Sequence, residues 1–313
     1  MAWQPVVVGV DDSPAAAGAA ALGWRLAAAA GTSCHLVHVV HDPGTAFASM
    51  MMPTSSGELA GPLRELVGPR LRAALGASVP PQAFGTLAIR IGRPAMMLKL
   101  EAEKLGAGLV LLGGKHHLAL RRWLGSNTAR DAARLLNVPV LVTKGAPARL
   151  GRVLVGVDLS YAAEPTIREA ERFARLAATK LRAIHVLEPL TSMPELAQFV
   201  DQRQFNSDRV AILEDDIWPL LGLPGAERTM RAGDPAVALT AEAAEWQADL
   251  LVVGSHGKGW VDRQLLGSTT ERLLDQLPVS LLVVPVHRAD ALPKPGETPE
   301  ARRHPAATVG TAP

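Results

Sequence analysis

The chain has 313 residues, of which 48% are hydrophobic and 20% are charged, and its formal net charge is +2. This composition is typical of a globular protein long enough for two domains, each with its own core. The small net charge, with no Lys/Arg cluster interleaved with aromatic residues, argues against nucleic acid as a partner. No apolar run reaches the roughly 18 residues of a membrane helix, so we expect no membrane partner either.

The start of the chain, "MAWQPVVVGVDDSP", has no basic segment before an apolar run, and this argues against a signal peptide. A single cysteine, Cys34, excludes an intrachain disulfide and is typical of a reducing compartment. Since Cys34 begins a predicted strand, we interpret it as a buried, inert thiol. These features together predict a cytoplasmic protein.

In chain order, the first predicted strand and helix, "VVVGVDDSPAAAGAAALGWRLA" from Val6, return as "VLVGVDLSYAAEPTIREAERFA" from Val153. The strand "HLVHVV" likewise returns as "RAIHVL". A later segment, "IRIGRPAMMLKLEAEKLGAGLVLLGG", matches "MRAGDPAVALTAEAAEWQADLLVVGS". The matched positions are Gly9 with Gly156, Asp11 with Asp158, Ser13 with Ser160, His38 with His185, Val39 with Val186, Gly92 with Gly233 and Gly113 with Gly254. The repeat predicts duplicated domains at 1–146 and 150–288, followed by a proline-rich tail, 289–313, that we expect to be disordered.

Each half alternates apolar strands with helical segments. In the second half the strands are "RVLVGV", "LRAIHVL", "ERTMRAG", "ADLLVVG" and "SLLVVPV", and Ser160 is the predicted start of the first helix. Continuous apolar strands that alternate with helices indicate a parallel sheet covered on both faces. The predicted fold class is therefore α/β, with two tandem doubly wound, Rossmann-like domains of five parallel strands and four helices each.

Ligands of such folds bind beyond the carboxyl ends of the strands, where the strand order reverses. In the second half, Asp158 and Gly233 follow strands, and the fourth strand ends in a loop with Gly254, Gly257 and Gly267. Ser268 then opens a predicted helix, and bare backbone beside a helix N-terminus is suited to an anion. The loop lacks the G-x-x-x-x-G-K-[ST] and G-x-G-x-x-G patterns. From the loop alone, a phosphate site and a simple turn both remain open.

The spacing Gly254-x2-Gly257-x9-Gly267-Ser268, joined by "VGVDLS", "IHVLEP" and "AGDPA" in that order, resembles the ATP-binding signature of the universal stress protein family. The likeness covers nearly all of both halves and implies a tandem member with the adenine nucleotide alpha hydrolase-like fold. It implies ATP, with Mg or Mn, as the bound nucleotide, although the metal ligands stay unknown. Asp158 would lie near the ribose or metal, and the backbone of Val186 near the adenine edge. The remaining nucleotide-binding residues implied by the resemblance are Gly233, Val253, Gly254, Gly257, Gly267, Ser268 and Thr269.

The first half departs from this pattern. His116 replaces the second glycine, and Gly113 and Gly125 are separated by one residue fewer than Gly254 and Gly267. Nearby cations, Lys115, Arg121 and Arg122, either compensate or form a solvated loop face. We predict a second site here that binds ATP weakly or not at all, built from Asp11, Val39, Gly113, Gly125 and Ser126.

Other conspicuous residues have structural interpretations. His38 and His185 lie in apolar strands and are predicted to be hydrogen-bonded core residues. Asp11 and Asp12 could hold a metal, but capping of the next turn explains one of them. The methionines at 50–52 lie in a long connection and are interpreted as a lid or gap filler. Ser280 stands where the family commonly has proline before the last strand.

Three functions remain compatible with the sequence. The first is an ATP-binding regulator or sensor in the stress response, acting on an unknown protein partner. The second is a slow ATPase or nucleotidyl-transfer enzyme, with Asp158, His256 and Lys258 as candidates, although no catalytic residue is assigned. The third is an interaction module with relic sites. The final strands, near Pro139 and Ser280, are apolar and predict an internal pseudo-dimer of the halves, which is also a candidate for homodimerisation.

Overall fold

The computed structural model of the chain describes residues 3–40, 56–114, 128–146, 150–189, 201–256 and 266–286. In the first half the strands are β1 (Val6–Gly9), β2 (Cys34–Val40), β3 (Ala88–Ile91), β4 (Leu109–Gly113) and β5 (Val140–Thr143). The helices are α1 (Pro14–Ala29), α2 (Ser56–Leu75), α3 (Pro94–Leu105) and α4 (Thr128–Leu135), with a short 3-10 helix at Pro81–Thr86. The predicted methionine lid and proline-rich tail lie outside the described residues.

The second half repeats this order of elements. Its strands are β6 (Arg152–Val157), β7 (Lys180–Leu187), β8 (Glu227–Ala232), β9 (Leu250–Gly254) and β10 (Ser280–Val284). Its helices are α5 (Ala163–Leu176), α6 (Gln202–Ile212), α7 (Pro235–Glu245) and α8 (Ser268–Gln276), and α6 continues into a π-helical turn at Leu213–Ile217 and a 3-10 turn at Trp218–Leu220. Among the described helices, none combines the length and apolar character that a membrane crossing requires.

All ten strands form one sheet in the order β3-β2-β1-β4-β5-β10-β9-β6-β7-β8. Pairing within each half is parallel. The strand order reverses between β1 and β4 in the first half and between β6 and β9 in the second. The prediction of two doubly wound parallel domains is therefore confirmed, and the two reversal points mark where a ligand is expected.

The halves join through an antiparallel pairing of β5 with β10, in which Leu141 lies opposite Leu282. Every residue of both strands is buried. One continuous apolar cluster contains core residues from both halves, including Leu141 and Leu282. The predicted pseudo-dimer through these two apolar edges is thus confirmed.

Polar contacts flank this junction. Arg130 and Arg134 of α4 pair with Asp275 and Glu271 of α8, respectively. The hydroxyl of Ser280, the residue that replaces the family's common proline, accepts a hydrogen bond from the backbone N–H of Lys144 at 3.1 Å. Ser280 therefore contributes a hydrogen bond between the two halves.

The first helix of each half begins differently, although the sequences match. Ser13 accepts a hydrogen bond from the N–H of Ala16 and caps α1, whose first residue is Pro14. The prediction that Ser160 opens the equivalent helix is wrong, because α5 begins only at Ala163. The Ser160 hydroxyl instead accepts from the N–H of Ala162 within a turn. Proline fixes its own φ at a helical value, and the second half lacks that residue.

The buried thiol of Cys34 behaves as the sequence indicates. Its side chain is 4% exposed, and burial raises the pKa of the thiol to about 12. A thiol with so high a pKa carries almost no thiolate at neutral pH, and thiolate is the reactive form. Cys34 is therefore a core residue.

Candidate functional site

The carboxyl edge of the second-half strands brings together most of the predicted site. Asp158 follows β6, Val186 lies near the end of β7, and Gly233 follows β8. Val253 and Gly254 end β9. Because these strands are parallel neighbours, their ends share one rim of the sheet. Gly257 lies outside the described residues.

The start of α8 is tied to the end of β9 by two hydrogen bonds. Gly267 donates its N–H to the carbonyl of Ser255 at 2.9 Å, and the hydroxyl of Thr270 donates to the carbonyl of Gly254 at 2.9 Å. Gly267 is the N-cap and supplies no side-chain acceptor. The N–H groups of the first helical turn, at Ser268 and Thr269, therefore have no intrahelical acceptor. They lie at the end of the helix that attracts anions.

Asp158 shapes the turn that follows β6. Its Oδ1 accepts from the N–H of Ser160 at 3.2 Å and from the Ser160 hydroxyl at 2.6 Å. In the first half, Oδ1 of Asp11 accepts from the N–H of Ser13 at 3.0 Å. This confirms that one of the two consecutive aspartates caps a turn, while Asp12 pairs with Arg70. Among the described residues, no group of three His, Cys, Asp or Glu side chains could enclose a metal.

Gly233 and its neighbour form another part of this rim. Gly233 has a φ of +126°, which side-chain-bearing residues rarely adopt, and no described residue lies within 4 Å of where a Cβ would be. Asp234 caps α7 through the N–H of Val237 and pairs with Arg272 of α8 at 2.6 Å. The hydrogen bond from Arg272 lowers the pKa of Asp234. This ion pair links the starts of α7 and α8, a contact that the sequence did not predict.

Gly113 and Gly254 are required by packing to different degrees. A Cβ on Gly113 would lie 2.4 Å from the carbonyl carbon of Ala15 and 2.7 Å from the nitrogen of Ala16, both in the α1 backbone. A Cβ on Gly254 would meet the carbonyl oxygen of His256 and the Thr166 hydroxyl at 3.2 Å and the methyl of Ala162 at 3.3 Å. Close backbone approach therefore explains Gly113 without any ligand, and explains Gly254 only in part.

Both strand histidines are hydrogen-bonded, as predicted, but only His185 is buried in the core, whereas His38 is partly buried. Nδ1 of His38 lies 2.8 Å from the carbonyl of Val10, and Nδ1 of His185 lies 2.9 Å from that of Val157. His185 is only 1% exposed. Its Nε2 accepts a hydrogen bond from Arg209, a buried residue of α6 that the sequence analysis missed. Arg209 stands in a polar segment, and no periodicity there distinguishes it from the exposed residues.

His256 follows Ser255 at the end of β9, and its Nδ1 lies 2.9 Å from the Ser255 hydroxyl. That hydroxyl also accepts from the N–H of Val286 at 3.1 Å. These two contacts place the Ser255 hydroxyl between His256 and the backbone of Val286. Burial lowers the pKa of His256 from its ordinary value of 6.5. The neutral imidazole is therefore the form that the folded protein favours.

This shift predicts a pH dependence of stability. The folded protein binds fewer protons at His256 than the unfolded chain does, so the contribution of this residue is lost as the pH falls below 6.5 and levels off below the folded-state pKa. We expect wild type to lose stability relative to His256→Gln over that range in urea unfolding at a series of pH values. A difference between the two proteins that is constant from pH 8 to pH 5 would contradict the assignment.

The first half presents fewer of its predicted residues at the equivalent edge. Asp11 follows β1, Val39 lies in β2 and Gly113 ends β4, whereas Gly125 and Ser126 lie outside the described residues. The described residues of α4 begin at Thr128.

A cleft of about 460 Å³ lies away from this rim, between α1 and the amino ends of β6 and β7. Cations line it, including Arg25, Arg152 and Lys180. The Arg152 guanidinium donates to the carbonyl of Trp246 at 2.7 Å and to the side chain of Gln247. These contacts engage Arg152 in the fold, and the cleft lies at the strand edge opposite to the predicted nucleotide residues.

A family model described as the universal stress protein family matches residues 2–144 and 150–285. The chain belongs to the universal stress protein family. A universal stress protein of Mycolicibacterium smegmatis is 29% identical over 195 residues, which cover 59% of this chain and 64% of that relative. A universal stress protein of Thermus aquaticus is 26% identical over 132 residues, covering 42% of this chain and 96% of that relative.

Solved structures show the same fold. A universal stress protein from Archaeoglobus fulgidus superposes with a TM-score of 0.59 at 18% identity, covering 89% of this chain and 97% of its own. A structure from Pseudomonas aeruginosa assigned to the universal stress proteins gives a TM-score of 0.54 at 20% identity, covering 91% of this chain and 94% of its own. At identities this low, the superpositions show a shared tandem fold and do not identify a ligand.

Proposed function

We propose that the second half of this universal stress protein binds ATP at the carboxyl edge of its strands and that occupancy regulates contact with a protein partner. The observation that carries the proposal is the uncapped start of α8, tied to the end of β9 at Ser255 and Gly254. Its free N–H groups suit phosphates, while Asp158 and Val186 occupy the same rim, where the ribose and adenine would lie.

The donor set agrees with Mg²⁺ or Mn²⁺ carried by the nucleotide. Mg²⁺ usually takes one or two protein carboxylates together with phosphate oxygens and waters. Asp158 offers one carboxylate at this rim, and its Oδ1 is already engaged by Ser160. Such a cation would neutralise phosphate charge, while Asp158 would contribute one carboxylate and the α8 start would supply neutral donors.

A regulatory role accounts for the site better than rapid hydrolysis does. Hydrolysis requires a group that orients water and charge stabilisation at the γ-phosphate. The sequence has no Walker-type lysine, and the favoured neutral form of His256 supplies no positive charge. A single-turnover assay with radiolabelled ATP separates the two roles, since turnover within minutes would favour the enzyme.

The direct test places a carboxylate at the phosphate end. Ser268 is exposed in the first turn of α8, so Ser268→Asp should stabilise the helix slightly through its dipole while repelling phosphate. In calorimetric titration of nucleotide-stripped protein we expect one tight ATP per chain for wild type. The variant should bind about tenfold more weakly, with an unchanged or higher melting temperature.

Gln276→Glu is the matched control because it adds the same charge at the exposed far end of α8. It should leave ATP affinity unchanged. Two equivalent ATP sites per chain would show that the first half also binds ATP. Equal ATP affinities for Ser268→Asp and wild type would show that the phosphates do not bind at the start of α8.

A further inference from the structure

Arg209 is a buried cation, and two of its nitrogen atoms donate no hydrogen bond to the described residues. Arg209 is 6% exposed, and no other lysine or arginine is buried in the part of the chain that the structure describes. Nη2 donates to Nε2 of His185 at 3.3 Å, and the guanidinium lies 5.2 Å from the ring centre of Phe205. Nε and Nη1 make no hydrogen bond to the described residues.

Such an arrangement is unfavourable in the absence of a ligand. A buried charge loses its hydration, and each buried donor without an acceptor adds a further penalty. Burial lowers the pKa of Arg209, and the carboxylates of Glu188 and Asp158 oppose that shift through their charges. Those two interactions act on the charge of the guanidinium and leave Nε and Nη1 without acceptors.

His185 fixes where the guanidinium lies. Arginine can only donate, so Nε2 of His185 accepts, and Nδ1 carries the proton that is donated to the carbonyl of Val157 at 2.9 Å. Val157 is the last residue of β6 and precedes Asp158. The chain of bonds therefore holds Arg209 over the carboxyl ends of β6 and β7, next to the rim where the nucleoside is proposed to bind.

The charges around Arg209 select the kind of group that can meet it. Two carboxylates, Asp158 and Glu188, act on the charge of Arg209. A phosphate placed there would be repelled by two carboxylates, whereas neutral ring nitrogens and carbonyl oxygens would not. The uncapped start of α8 already supplies the phosphate end.

We propose that Arg209 is a specificity-determining residue that donates Nε–H and Nη1–H to neutral acceptor atoms of the base of the bound nucleotide. The proposal rests on the nucleotide site proposed above and deepens it. The first half lacks an equivalent among its described residues: His38 makes the same bond to Val10, but Arg70 of α2 is exposed and pairs with Asp12. Base recognition by arginine would thus be confined to the second half.

The test compares ligands with and without a base. Arg209→Met should bind ATP and AMP about tenfold more weakly than wild type does, by the same factor for both, and should bind inorganic tripolyphosphate equally well. The Ser268→Asp change should give the opposite pattern, since its effect grows with the number of phosphates. Removal of a buried charge by an apolar side chain of similar length should leave the melting temperature of the ligand-free protein unchanged or higher.

Arg203→Met is the matched control, because it removes the same charge from an exposed position of the same helix. It should change none of these affinities. Arg209→Lys keeps the charge but loses the planar fork, so it should recover only part of the affinity. If Arg209→Met binds ATP as wild type does, or loses stability without losing affinity for AMP, Arg209 is structural and the inference is wrong while the ATP site stands. If wild type binds neither ATP nor AMP, both proposals fail.

Discussion

Gly113→Ala is expected to lower the free energy of unfolding by about 3 kcal/mol, near the upper end for overpacked cores. The new methyl group would lie 2.4 Å and 2.5 Å from the carbonyl carbon and oxygen of Ala15. Because those atoms belong to the backbone of α1, they cannot rotate away. Either β4 or the start of α1 must move, and both are packed in the core of the first half.

Gly254→Ala is the natural comparison, since the two glycines occupy matching positions in the repeat. Its methyl group would meet the carbonyl oxygen of His256 and the Thr166 hydroxyl at 3.2 Å and the Ala162 methyl at 3.3 Å. Shifts of a few tenths of an ångström relieve such contacts, whereas the contacts at Gly113 are far shorter. We expect a loss of about 1 kcal/mol or less. Urea unfolding monitored by circular dichroism measures both variants. Equal losses for the two would show that the tight approach at Gly113 is relieved at little cost.

The second expectation concerns the junction between the halves. If the chain is divided into fragments 1–146 and 150–288, the purified fragments should recombine as a 1:1 complex in preference to pairing with themselves. The offset of 141 residues that relates Gly113 to Gly254, and β5 to β10, also relates Arg130 to Glu271 and Arg134 to Asp275. In the chain, basic α4 faces acidic α8. Self-pairing of either fragment would place like charges opposite each other, which is unfavourable.

Light scattering after size-exclusion chromatography measures this preference. Reversal of Glu271 and Asp275 to arginine in the second fragment should weaken recombination at least tenfold at low salt, and the difference should shrink as salt screens the charges. Arg272→Glu reverses a charge on the same helix that pairs with Asp234, away from the junction. That control should recombine normally. Homodimers of the unaltered second fragment that persist in the presence of the first would refute the charge argument.

The sequence correctly predicted most of the features that depend on local residue patterns or that occur in both halves of the chain. Apolar runs predicted the strands, and the apolar character of the last strand in each half predicted the β5–β10 junction. The turn made by Asp11 also followed from local chemistry. The serine ahead of the helical pattern, Ser160, predicted the wrong helix start, since the second half has no equivalent to Pro14.

Other features depend on three-dimensional surroundings that no short pattern carries. Arg209 lies in "NSDRVAILEDD", where its neighbours are mostly polar, and only the packing of α6 over His185 buries it. The bond from Lys144 to Ser280 joins residues far apart in the chain. The assignment of Gly257, Gly125 and Ser126 to phosphates, the ATP ligand and a cytoplasmic location stay predictions.

The antiparallel join of β5 to β10 reverses the direction of the strands halfway across the sheet. The strand ends that carry Asp158 and Gly254 and those that carry Asp11 and Gly113 consequently form opposite rims. A macromolecule that senses nucleotide at the second-half rim would leave the first-half rim open to a different one. The chain therefore presents two unlike faces, and under the function proposed above only the second-half face would be gated by a ligand.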